Sequence, residues 1–583
     1  MVKEEKARIL EVGGLTARFF KGELRSVRLG NSELLNRVYF ALRDANWDTI
    51  EQRIENIEIN TNANFFEVSF ESLCQQREID FRWNCRIVGK PDGIKFSIAG
   101  RAYGNFQTNR LGFCVLHPLS CKGRRLIVTH CDKSMTESRF PYYISAHQPF
   151  KNIKAMEWVI DDTSPYLSFS GDVFEMEDQR NWSDASFKTY CTPLEQPFPV
   201  EIRKGTEVHQ EIELSVNGAV GKKPWNSDCE ARLEVLDVSS PLPKVGLEAN
   251  GELLDKCSVE RLKSLKLSHL RVEARTHEEN WRQMFEERMR QAERLKLPVE
   301  LVVFIEEKNV SDFEFLGKRV NTSVTLKSIL PIDVSSKSTS DVYIYRIRKY
   351  FEMFFPSVPV GGGTNCYFTE LNRFGGPFSK ADFVAFSLNP QVHSFDDEYL
   401  VETNQALPDM VESARHIAGD LPIHISPVTL KPRFNPDATE FISLEDEKRN
   451  RLDKRHTSVF NALWTLGCIK QLAESQVESV TFFQTLGEEG VTMPDRASEF
   501  VDYVTEANEV FPVFEILKIW GDFRGGKIVH TRSSSPLEFQ GLILEKEGRK
   551  MAILANYTNE LLPVEFAGSS YQVGPMSFMT FDC

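Results

Sequence analysis

Residues 270–305 contain Leu270-Arg-Val-Glu-Ala, a helical run from Asn280 to Arg294, and then Val299-Glu-Leu-Val-Val-Phe-Ile. Two short β-type runs separated by one helix read as a strand–helix–strand unit, because parallel strands need a crossover that a helix supplies. The same pattern extends in both directions. Val245-Gly-Leu-Glu-Ala precedes it, and Val324-Thr-Leu-Lys-Ser-Ile-Leu, Asn365-Cys-Tyr-Phe-Thr-Glu, Phe383-Val-Ala-Phe-Ser-Leu-Asn, Ile423-His-Ile-Ser-Pro-Val-Thr and Val480-Thr-Phe-Phe-Gln follow. Helical runs at Asp341–Phe355, Leu407–Ala418 and Thr457–Ala473 lie between them, and Val513–Phe523 supplies the last helix. Eight such alternations predict a (β/α)8 TIM-like barrel. A doubly wound sheet is the competing arrangement, weakened by the lack of a Gly-x-Gly-x-x-Gly turn after any strand.

The flanks read differently. Before the barrel, alternating runs such as Phe65-Phe-Glu-Val-Ser-Phe and Ile79-Asp-Phe-Arg-Trp-Asn-Cys-Arg-Ile are separated by turns such as Gly89-Lys-Pro-Asp-Gly. That many short strands predict an N-terminal β-sandwich. After the barrel, Leu537–Leu544, Lys550–Asn556 and Met576–Phe581 return to strand patterning. The 583-residue chain is too long for one core. The expected division is a sandwich over 1–228, the barrel over 229–523 and a small C-terminal β domain over 524–583.

Composition restricts the partners. Lys and Arg total 70 against 84 Asp and Glu, a net charge of −14 that opposes affinity for nucleic acid or anionic membrane. No apolar run of about 18 residues occurs to span a bilayer. The N-terminus Met-Val-Lys-Glu-Glu-Lys-Ala-Arg leads into no apolar signal region, so a cytoplasmic location is expected. The 11 cysteines include no Cys-x-x-Cys pair, and free buried thiols are expected rather than a zinc site. No cofactor and no metal are expected.

Barrel enzymes place their chemistry at the C-terminal ends of the strands. Those ends carry Glu248 and Asn250; Arg271, Glu273, Arg275 and His277; Glu370, Asn372 and Arg373; Asn389, Gln391, His393 and Asp396; Ser426, Thr429, Lys431 and Arg433; and Thr481 and Gln484. Such a rim suits a polyol. A glycosidase would set two carboxylates across the sugar, usually after strands 4 and 7, where this sequence has none. There is no Gly-x-Ser-x-Gly elbow, no His-Glu-x-x-His and no Walker-type loop. Gly361-Gly-Gly-Thr reads as a flexible loop lip before the fifth strand. What remains is general-base attack of water on an activated carbonyl. Glu370 is the expected base, with Arg271, His393 or an amide to stabilise the oxyanion. Structural ion pairs for Glu370 and Arg271, and a structural role for His393, are the competing readings.

A second informative stretch lies upstream. Phe174-Glu-Met-Glu-Asp-Gln-Arg-Asn-Trp-Ser-Asp-Ala-Ser-Phe-Lys-Thr-Tyr interleaves six charged groups with four aromatics. It reads either as a wall for a polar ligand, with Glu177, Asp178, Arg180 and Asn181 as binding groups, or as an ion-pair network with aromatics tucked beneath. Glu248, Asn372, Gln391, Thr429 and Gln484 complete the expected substrate contacts. His117 and His147 are read either as lining the sandwich's concave face or as packing residues.

This stretch, together with Gly112-Phe-Cys-Val-Leu-His-Pro, Phe368-Thr-Glu-Leu-Asn-Arg and Ser426-Pro-Val-Thr-Leu, resembles the bacterial D-apionate lactonases. Ser183, where Thr is usual, departs from the family pattern conservatively. The resemblance spans all three blocks. It implies hydrolysis of a small-molecule sugar lactone, D-apionolactone, to D-apionate in the catabolism of a branched plant sugar. It also implies the same three-part architecture. A glycoside hydrolase acting on plant oligosaccharides, or a non-catalytic carbohydrate-binding protein, are the alternatives.

Overall fold

A computed structural model of the chain describes residues 7–217, 231–306, 312–321, 324–434, 436, 444–500 and 503–583, with the backbone alone at 444–447. It forms two compact units: residues 1–180 with 185–229, and residues 181–184 with 230–583.

The first unit is almost wholly strand, and its main sheet contains sixteen strands. Period-two patterning explains it. Strand Ile79–Lys90 buries Ile79, Phe81, Trp83, Cys85 and Ile87 and turns the intervening residues outward. Phe40 packs on Trp83 and Phe113 in the core, with ring centroids 5.1 and 5.5 Å apart.

In the second unit eight parallel strands form the barrel sheet: β1 (Lys244–Glu248), β2 (His269–Arg275), β3 (Val299–Ile305), β4 (Leu326–Asp333), β5 (Gly362–Tyr367), β6 (Val384–Leu388), β7 (Ile423–Val428) and β8 (Ser479–Gln484). Their order is β4-β3-β2-β1-β8-β7-β6-β5, and a parallel bridge between Ile329 and Val360 joins the ends. Alternation along β2 sends Leu270, Val272 and Ala274 to one face and His269, Arg271 and Glu273 to the other. The second set reaches across the barrel: His269 bonds Thr481 of β8, and Arg271 bonds Asn365 of β5 and Ser426 of β7. The interior of this barrel is therefore polar.

Two segments differ from their sequence reading. Gly361-Gly-Gly-Thr is not a loop lip, because Gly362 opens β5 itself. A Cβ on Gly361 would stand 2.3 Å from the Phe383 ring, and one on Gly363, at φ +122°, would stand 2.1 Å from the Ala385 carbonyl oxygen. The glycines allow β6 to approach that closely. In addition, β5 ends at Tyr367 and a helix begins at Phe368, so Glu370 sits in a first helical turn rather than at a strand end.

The last sheet has seven strands and draws one of them, Ala231–Pro241, from ahead of the barrel. Helix Val459–Glu474 packs between barrel helices and this sheet, which explains why it is apolar nearly all round. Ser458 caps it by accepting from Phe460 N at 3.2 Å, and the buried Trp464 indole donates to Leu400 O at 3.0 Å. Among the described residues no helix is long and apolar enough to cross a membrane.

Candidate active site

A polar pocket, open to solvent, lies at the C-terminal ends of β1, β2, β7 and β8. Glu248 closes β1, Arg275 closes β2, and Gln484 closes β8. Thr429, Lys431 and Arg433 follow β7, while Glu488 and Glu489 follow β8; Arg451, Asp453 and His456 complete the polar wall.

The loop after β8 is pinned at several points. Thr485 N donates to Glu248 O at 3.0 Å, and Asn250 Nδ2 donates to Leu486 O at 2.6 Å. Tyr503 Oη donates to Glu488 O, and His456 Nε2 donates to Gly490 O at 2.7 Å. Burial lowers the His456 pKa to about 4, so its ring is neutral and serves as a donor. The ring meets Phe483 edge-on at 4.8 Å, and Phe483 is held at φ +39°, an uncommon conformation for a residue with a side chain.

These supports present Glu489. Its Oε2 lies 3.3 Å from both Gln484 Nε2 and Arg451 Nη2. Burial raises its pKa; Arg451 opposes the shift, and the Glu248 carboxylate adds to it. A carboxyl group raised in this way is a better proton acceptor near neutrality than an ordinary glutamate.

The cations of the pocket are organised by Glu273, which is 1 % exposed. Its Oε1 accepts from Arg271 Nη2 at 2.7 Å and Arg433 Nη1 at 3.0 Å, while Oε2 accepts from Arg275 Nε at 2.8 Å. Glu273 holds the Arg275 guanidinium firmly charged. Lys431 stands apart: it is half-buried, and burial lowers its pKa against the pull of Asp453. Asp453 is committed elsewhere. Burial would raise its pKa, but Arg455, at 2.7 Å, holds it at about 2.

The residues expected from sequence separate into four groups. Glu248, Thr429 and Gln484 line the pocket. Arg271 is wholly buried and outside the pocket lining, bound to Glu273, Asn365 and Ser426. Gln391 is buried and spent on Leu430 O, Asp453 and Arg455.

A second cluster gathers at the ends of β5 and β6. Asn372 Nδ2 donates to Asn181 Oδ1 at 2.8 Å, and His393 Nδ1 lies 2.8 Å from the buried Asp184 carboxylate, with its ring edge-on to Trp182. Glu370 is not in the pocket lining. Its Oε2 accepts from Tyr367 N at 2.9 Å, closing the first turn of its helix.

The remaining charges of the upstream stretch pair within the first unit. Arg180, fully buried, is bidentate to Asp178 and also donates to Pro141 O; Lys188 pairs with Glu177 at 2.9 Å. This is the ion-pair network with aromatics beneath, and Arg180 lies over the Phe187 ring at 4.4 Å. His117 is buried among Phe140 and Trp158 as a packing residue.

Sequence reasoning missed Glu488 and Glu489 because the reading of β8 stopped at Gln484. The signal was present in Gly487-Glu-Glu-Gly, an acidic pair between glycines just beyond a strand end. Among the described residues no three His, Cys, Asp or Glu side chains converge to hold a metal ion.

Comparison with known proteins agrees with this architecture. The family profile described as D-apionate lactonase, N-terminal domain, matches residues 1–219, and that described as D-apionate lactonase, TIM barrel domain, matches residues 244–525. A protein of Brucella anthropi named D-apionate lactonase is 29% identical over 521 residues, covering 84% of each chain. Solved structures are more distant. A conserved exported protein from Bacteroides fragilis is 9% identical with a TM-score of 0.41, over 61% of this chain and 100% of its own. A family 51 α-L-arabinofuranosidase from Bifidobacterium longum is 11% identical with a TM-score of 0.41, over 59% of this chain and 89% of its own. With both its N-terminal and barrel regions matched by the profiles of one family, the chain belongs to the D-apionate lactonases.

Proposed function

We propose that the protein is a sugar lactonase that opens D-apionolactone to D-apionate, with the barrel pocket as its active site and Glu489 as general base. The observation that carries this reading is the setting of Glu489: a carboxylate of raised pKa, facing a pocket lined by Glu248, Lys431 and Arg451. The name of the Brucella anthropi relative and the family's description support the substrate.

In this mechanism Glu489 takes a proton from water as the water oxygen bonds to the lactone carbonyl carbon. The carbonyl electron pair moves to oxygen, and the oxyanion is met by N–H donors of Lys431 or Arg451. Collapse of the tetrahedral adduct breaks the bond to the ring oxygen, which takes the proton back from Glu489. Water and lactone become one hydroxy acid, which ionises with release of a proton. A lactone is electrophilic enough that no covalent nucleophile is needed.

Proton release on mixing the protein with D-apionolactone, against a panel of other aldonolactones, tests the assignment. Release with apionolactone well above the panel supports it. Silence with every lactone would contradict it and favour the second reading, a glycosidase, for which the Glu248–Glu489 carboxylate pair is the specific support.

A further inference from the structure

The pocket carries more hydrogen-bond donors than the protein satisfies. Among the described residues the Lys431 ammonium has no hydrogen-bonding or ion-pair partner, and the Nε–H groups of Arg433 and Arg451 are buried without an acceptor. An unmet buried donor costs free energy, and a guanidinium donor more than a neutral one. The carboxylates Glu248, Asp453, Glu488 and Glu489 line the pocket with these cations. Glu273 is one carboxylate shared by Arg271, Arg275 and Arg433. Asp453 pairs with Arg455 at 2.7 Å, and Glu488 lies 3.6 Å from Arg496.

A neutral lactone meets these open cationic donors only as its carbonyl oxygen becomes an oxyanion, whereas the ring-opened product brings a full carboxylate to them at rest. Resting on the lactonase reading, we propose that the pocket is an aldonate site: Lys431 and Arg451 hold the carboxylate of a hydroxylated acid, with Arg433 fixed beside them by Glu273. Aldonates as a class then compete with the lactone, and binding of the product anion slows turnover as product accumulates. Charge-assisted hydrogen bonds of this kind discriminate a carboxylate from an uncharged polyol of the same length.

Calorimetric titration of the full chain with threonate, its uncharged counterpart threitol, and acetate tests this without relying on turnover. Threonate is expected to bind about tenfold or more tighter than either threitol or acetate. The advantage over threitol should be lost in Lys431→Met, with threitol binding unchanged. In the unsubstituted protein, threonate binding should weaken with rising salt while threitol binding does not. Equal binding of threonate and threitol, equal binding of threonate and acetate, or a threonate advantage untouched by both Lys431→Met and salt would each overturn the proposal. The two readings fail separately. Preferential threonate binding without lactone opening removes the lactonase and leaves the anion site, while lactone opening with equal threonate and threitol binding removes the anion site alone.

Discussion

Glu489 Oε2 stands 3.3 Å from Arg451 Nη2, in a pocket that Glu248 also lines. The guanidinium favours the ionised form of the carboxyl, while burial and the neighbouring carboxylate disfavour it, and the balance is a raised pKa. Protonation of this carboxyl is thereby moved above the ordinary carboxylate range.

The pH profile should show it. A base works only when deprotonated, so kcat/KM should rise with pH through the raised pKa of Glu489, above the ordinary carboxylate range near 4.3. Glu248→Gln removes a like charge and should move that ascending limb to lower pH. A limb that stays in place, or moves upward, would separate Glu248 from Glu489.

Stability should respond to His456. Its pKa is lowered to about 4 in the fold against an ordinary value near 6.5. Between those values the unfolded chain binds the proton and the native chain does not, so stability falls as pH drops from 6.5 toward 4 and is fully present above 6.5. The shift corresponds to about 3 kcal/mol. Urea midpoints across this window should fall less steeply in His456→Gln, and an identical slope in both proteins would refute the account.

Gly363→Ala tests the reading of β5. The substitution meets both a φ of +122° and the Ala385 carbonyl, so a loss of about 3 kcal/mol or more is expected. A melting temperature unchanged from the parent protein would show that β5 and β6 do not approach as described.

Trp464→Ala should lower stability by about 3–5 kcal/mol through an unfilled cavity in a helix buried on nearly every side. The loss is read from denaturant unfolding. A cost under about 1 kcal/mol would mean that the helix is not enclosed.

The barrel was legible because its short strand-type runs alternate with helical ones, a pattern that survives without any knowledge of contacts. Strand Ala231–Pro241 was not assigned to the last sheet, since its partner Lys527–Ser533 lies almost three hundred residues away and pairing leaves no local trace. Site residues divided along the same line. Glu248 and Gln484 end strands and could be found by position. Arg271 lies inside β2 and Gln391 just beyond β6, but both are buried, and burial depends on which distant carboxylates and amides surround them. Glu370 was placed at a strand end because its strand was read three residues too long.

The most direct test compares turnover of D-apionolactone by Glu489→Gln and Glu370→Gln. For Glu489→Gln, kcat is expected to fall about a hundredfold or more with the fold intact, and Glu370→Gln should turn over within a few fold of the parent, because glutamine still caps that helix. The reverse pattern, with Glu370→Gln inactive and Glu489→Gln unaffected, would move the chemistry out of this pocket.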